Sequence, residues 1–184
     1  MQIVLFNKPF QTLSQFTDPE GRSTLAEYLD HPGYRVAGRL DYDSEGLLLL
    51  TNNGELQDRI CSPASKMQKC YWVLVEGEPQ DRQLRALRAG VEIRSGKTAP
   101  AKASRLEPPT SLWEREPPVT AHRQQRAHWL EITVAEGKNR QVRRMCAAVG
   151  LPVLRLVRTS IGHWRLDNLA PGESRLETVH LPAH

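Results

Sequence analysis

A run of four leucines at residues 47–50 follows closely on three acids, Asp41, Asp43 and Glu45, in the stretch GRLDYDSEGLLLLTNNG of residues 38–54. Four residues cannot span a membrane, and an unbroken apolar run of that length suits a strand buried on both faces. Carboxylates beside such a strand are costly unless they are paired or used in chemistry. Any fold of this chain must therefore bury the strand and give its acids a partner or a task.

The rest of the chain supplies strands and helices around it. IVLF at residues 3–6 reads as a strand entering a turn at Asn7-Lys8-Pro9. Thr24 and Glu27, spaced as a capping box, predict a short helix through Leu25, Tyr28 and Leu29. Asn52-Asn53-Gly54 turns the leucine strand into a helix carrying Leu56 and Ile60. Residues 69–77 read as a strand, and 80–89 as a helix with Leu84 and Leu87, stopped at Gly90. Strands at 101–106 and 129–137 flank a long loop with two proline pairs, at 108–109 and 117–118. Loops of that length are uncommon without a role or mobility, so this one reads equally as a substrate contact or a disordered segment. From Asn139 a helix places Val142, Met145, Cys146 and Val149 on one face and Arg140, Arg143 and Arg144 on the other. Its first turn offers backbone N–H groups to a phosphate. Gly150 and Pro152 end it, and a strand follows.

At 184 residues, 39% hydrophobic and 25% charged, the chain is sized for one domain or two closely packed lobes. Without a long apolar segment or a signal pattern, the expected location is the cytoplasm, with no membrane partner. Cys61, Cys70 and Cys146 form no CxxC and are expected to be buried thiols. The six histidines show no HxxxH or HxH spacing, and no GxxxxGK[ST], GxGxxG or GxSxG is present. Metal, nucleotide-cofactor and serine-hydrolase chemistry therefore lack support, and no cofactor is expected. Charge is more telling. Residues 138–165 hold seven Lys and Arg and no acid, whereas the remaining 18 basic and 21 acidic residues leave the rest of the chain net negative. A block of one sign points to a polyanion, because a solvated helix face usually interleaves acids. Carboxylate chemistry beside a nucleic-acid-binding face is what remains.

Four blocks then occur in order: GRLDYDSEGLLLLTNNGEL, KCYWVLVEG, EGKNRQVRRM and RLVRTSIG, after an opening LFNKPF. Together they resemble the pseudouridine synthases of the RsuA-like branch over nearly the whole chain. The resemblance implies an α+β fold on a long mixed, mainly antiparallel sheet, with an RNA cleft across its middle and Asp41 on the cleft floor. It also implies a single catalytic domain over 1–184, in two lobes and without an S4-type RNA-binding domain. The implied reaction isomerises a specific uridine of large-subunit (23S) ribosomal RNA to pseudouridine, with ribosomal RNA as partner. A monomer is expected, because no apolar stripe is left over.

By the same resemblance, Asp41 is the essential aspartate, attacking C1′ or taking the 2′ proton to give a glycal. Tyr71 is the tyrosine that stacks on uracil near the departing C5 proton. Arg143 pairs with the aspartate and keeps it ionised. Arg39 fills the space left by the flipped nucleotide, whose extrusion costs roughly a few kcal/mol. Leu156 lines the base pocket, although a strand leucine is equally a core residue. Lys138, Asn139, Arg140, Arg144 and Arg158 are the RNA-backbone candidates, and Asp43 and Glu45 take structural roles. Two other classes compete: a non-catalytic RNA-binding module of the same fold, and a carboxylate-dependent nucleosidase.

Overall fold

The computed structural model describes residues 1–180. In chain order it contains β1 (Gln2–Lys8), β2 (Arg35–Ala37), β3 (Glu45–Thr51), α1 (Gly54–Cys61), β4 (Lys69–Glu76) and α2 (Asp81–Ala89). There follow β5 (Glu92–Ile93), β6 (Gly96–Lys97), β7 (Lys102–Leu106), α3 (Ala121–Gln124), β8 (Ala127–Val134), α4 (Gln141–Ala148), β9 (Val153–Ile161), β10 (Trp164–Arg165) and β11 (Ser174–Thr178). The fold is α+β, as expected. The chain divides into two compact units, one of Met1–Ser65 with the segment from His163 onward, the other Lys66–Gly162.

In the first unit β1 lies between β11 and β3, antiparallel to both. β2 pairs antiparallel with residues 49–51 of β3. Every residue of β3 is buried, so the leucine run is interior on both faces, as its unbroken pattern predicts. Val4, Phe6, Leu48 and Leu50 pack on one side with Leu25, Leu29 and Leu40. Asn53 caps α1 by accepting from the Leu56 N–H at 2.9 Å, and Leu56 and Ile60 face inward one turn apart.

The second unit has strand order β9-β4-β8-β7, all antiparallel. Leu84 and Leu87 of α2, with Val142, Met145 and Cys146 of α4, cover the face that presents Val73, Val75, Leu130 and Ile132. Gly90 ends α2 at φ 96°, where a Cβ would run into the Thr98 carbonyl oxygen, so only glycine fits.

Three expectations change, and one element is new. The capping box at 24–27 yields only a 3-10 turn, Leu25–Glu27, because the Glu27 carboxylate accepts from Ser23 Oγ (2.9 Å) instead of capping the turn. Cys61 is exposed, being the last residue of α1 and off its Leu56–Ile60 face, and Cys70 is only partly covered. A hairpin, β5–β6, occupies residues 92–97, where the apolar pattern is too short to signal one. The proline loop is anchored, not loose. Arg155 donates to the Trp113 carbonyl (2.9 Å) with its guanidinium over the indole, and Arg115 donates to the Leu154 carbonyl (3.0 Å). Among the described residues no helix is long and apolar enough to cross a membrane.

Candidate active site

Asp41 sits half-buried at the start of a turn leading into β3, closed by the Ser44 N–H donating to the Asp41 carbonyl (3.0 Å). Its neighbour Leu40 is held twice by Ser14, which is 5% exposed. Ser14 Oγ donates to the Leu40 carbonyl at 2.7 Å and accepts from the Leu40 N–H at 3.1 Å. The loop bearing Ser14 is shaped by Lys8, fully buried, whose ammonium donates to the carbonyls of Pro9 (2.8 Å) and Thr12 (2.7 Å). A buried cation on carbonyl dipoles is a rigid fixture, because leaving those groups unpaired would cost more than the bonds gain. A third tie joins Gln11 N–H to the Tyr42 carbonyl (2.9 Å). Three hydrogen-bonded groups thus lock the backbone around Asp41. Arg39 is exposed beside it, with Nη2 donating to Gln15 Oε1 at 3.2 Å. Asp43 is half-buried in the turn, and Glu45 is 1% exposed as the first residue of β3.

In the second unit Tyr71 lies on β4, paired with Ile132 on one side and Arg158 on the other. Val73 pairs with Leu156. Directly paired residues project to the same face, so Tyr71, Val73, Leu156 and Arg158 share one. Leu156 is 5% exposed and belongs to the core cluster against which Tyr71 packs. Arg158 is 3% exposed and Arg155 8%, which corrects the picture of residues 138–165 as one basic face. Arg158 stands apart from the other RNA-backbone candidates: it is an interior cation beside Tyr71, because its strand is covered on that side.

Arg143 is half-buried on α4, one turn before the fully buried Cys146. Burial pushes the Cys146 thiol up to about 12, with the Arg143 guanidinium pulling the other way. Lys138, Asn139 and Arg140 form the turn entering α4, and Arg140 takes the left-handed conformation (φ 49°). Arg144 Nη2 donates to Asn139 Oδ1 at 3.1 Å. Asp41 and Arg39 thus belong to the first unit, and Tyr71, Arg143 and the turn at 138–140 to the second. Ser14 and Lys8 were invisible as site residues in the sequence, since neither spacing nor charge marks them. Among the described residues no three His, Cys, Asp or Glu side chains gather as a metal site.

A family model described as RNA pseudouridylate synthase matches residues 2–148, across both units. The chain belongs to that family. Ribosomal large subunit pseudouridine synthase E of Xanthomonas axonopodis pv. citri is 54% identical over 179 residues, 96% of this chain and 94% of the relative. The protein of the same name from Vibrio parahaemolyticus is 52% identical over 172 residues, 94% of this chain and 72% of the relative. A solved pseudouridylate synthase superposes with a TM-score of 0.80 at 31% identity, covering 96% of this chain and 70% of that one. A chain in the structure of an H/ACA RNP bound to a substrate RNA shares the fold at 16% identity and TM-score 0.59, covering 90% of this chain and 49% of that one.

Proposed function

We propose that the chain converts a uridine of large-subunit (23S) ribosomal RNA to pseudouridine, with Asp41, Tyr71 and Arg143 as its catalytic residues. The observation that carries the substrate is the 54% identity to a large-subunit synthase over 94% of that relative's length. The rigid support of Asp41 by Ser14 favours an enzyme over a non-catalytic RNA-binding module, because a fixed carboxylate is what chemistry at one carbon needs.

The reaction breaks the N1–C1′ bond and forms a C5–C1′ bond. One proton leaves C5 and one is gained at N1, so atoms and electrons balance without a co-reactant. Asp41 opens it either by attacking C1′ or by taking the 2′ proton. Tyr71 contributes a ring face for uracil and a hydroxyl near C5. Arg143 supplies the positive charge of the catalytic set. Arg39 enters the stack left by the flipped nucleotide, and Leu156 with the interior Arg158 borders the base. Lys138, Asn139, Arg140 and Arg144 hold phosphates. The protein works in the cytoplasm as a monomer.

The test is Asp41→Asn with an unmodified 23S transcript. Conversion falls by at least about a thousandfold, as for loss of a covalent or proton-transferring group, while RNA affinity and melting temperature stay near those of the parent. Full turnover in this variant would overturn the proposal. Release of free uracil by the parent would favour a nucleosidase instead.

A further inference from the structure

The β5–β6 hairpin is the element that neither the motifs nor the catalytic reading uses. It is short, yet it is held at both ends. Its base closes through the Thr98 N–H to the Val91 carbonyl and the Val91 N–H to Thr98 Oγ1, each 2.9 Å. Glu136 then ties it to α4, accepting from the Ala99 N–H at 2.7 Å and from Gln141 Nε2 at 2.8 Å. Lys138 Nζ donates to the Lys97 carbonyl at 3.1 Å. The hairpin is therefore a fixed extension of the turn that enters α4.

Its exposed side chains carry two cations against one acid, Glu92, which is paired across the strands with Lys97. Arg94 at the tip and Lys97 on β6 are both exposed. The cations do not stop there. Lys138 Nζ lies 4.0 Å from where a Cβ on Gly96 would stand, and Lys69 Nζ 3.7 Å from the same point on Gly137. Arg140 is exposed at the end of that turn. The ammonium groups of Lys138 and Lys69 thus lie against the backbone at Gly96 and Gly137, and positive charge runs from Lys69 through Lys138 to the hairpin that carries Lys97 and Arg94. Lys69 stands two residues from Tyr71 on the same face of β4, roughly 7 Å away at the rise of a strand. The track begins beside the tyrosine assigned to the target base.

We propose that the β5–β6 hairpin is an RNA-backbone clamp: Arg94 and Lys97 bind phosphates flanking the target uridine, continuing the cationic turn at 138–140. This rests on the RNA-modifying reading above. An RNA chain leaving Tyr71 along Lys69 meets the cations of the turn and then those of the hairpin, which the Glu136 and Lys138 ties hold in place.

The test is the double variant Arg94→Ala/Lys97→Ala, assayed with an unmodified 23S transcript over a KCl series. Both side chains are exposed, and the Lys97 atom that Lys138 uses is a backbone carbonyl, so the fold is retained. The slope of log affinity against log salt becomes shallower by about two, one for each phosphate no longer neutralised. KM rises about tenfold while kcat at saturating RNA holds, and Arg94→Lys/Lys97→Arg restores both. An unchanged slope and KM, or a fall in kcat with KM unmoved, would overturn the clamp. Pseudouridine formation by the parent is scored in the same series. If the parent binds RNA through the hairpin but makes no pseudouridine, the clamp stands and the catalytic proposal fails.

Discussion

Lys8 shows how much one interior side chain can organise. Its ammonium is removed from water, a transfer that costs several kcal/mol on its own, and the Pro9 and Thr12 carbonyls offset it while bending the chain toward Ser14. Ser14 then uses both its donor and its acceptor on Leu40, next to Asp41. The three cysteines differ by environment in a way that chemistry can read. Cys146 is buried with its thiol raised to about 12, and Cys61 is exposed. In the native protein at pH 8 a thiol reagent labels Cys61 and leaves Cys146 untouched until the chain is unfolded, which peptide mapping checks. The same shift has a sign for stability. Above the ordinary value of 9.0 the unfolded chain loses this proton while the folded protein keeps it. Stability from this group therefore declines as pH rises from about 9 toward 12, and Cys146→Ala flattens that part of the curve in thermal melts.

At the scale of elements, the second unit depends on a close approach between the end of α2 and the strand leaving the hairpin. Gly90 holds φ 96° against the Thr98 carbonyl, and Thr98 in turn closes the hairpin base. Gly90→Ala places a Cβ where an oxygen already sits and forces a backbone angle that side chains rarely adopt. It lowers stability by about 2–4 kcal/mol in denaturant titration, with hydrogen exchange rising first at residues 91–98. The helices and long strands were legible in the sequence because their apolar spacing is local: Leu84 and Leu87, Leu56 and Ile60, Leu130 and Ile132 each announce a face. The hairpin was not legible, since two-residue strands carry no period. The proline loop looked equally like a disordered stretch, because the residues that pin it, Arg155 and Leu154, lie some forty positions away.

Across the whole molecule, the proposed catalytic set is drawn from segments far apart in the chain. Asp41 belongs to the unit of Met1–Ser65, and Tyr71 and Arg143 to Lys66–Gly162. Groups that serve one step show non-additive losses when removed together. Arg143→Ala alone lowers kcat by about a hundredfold or more, but added to Asp41→Asn it lowers the residual rate hardly at all, as a double-mutant cycle on single-turnover rates records. Additive losses would mean that the two act on different steps. The four ordered blocks were enough to read the α+β class, the family and which residues to test, because chemistry needs particular side chains at particular spacings. The sequence by itself also determined the buried β3 strand, whose unbroken leucines leave no other stable place. Only the tertiary structure decided which cations face water. Arg155 and Arg158 sit in the same basic block as Arg140 and are buried, while Arg94 and Lys97, outside that block, stand exposed on the hairpin whose Lys97 carbonyl accepts from Lys138. Charge is written residue by residue, but exposure is set by strand register and by which elements pack above, and those are contacts between residues distant in the chain.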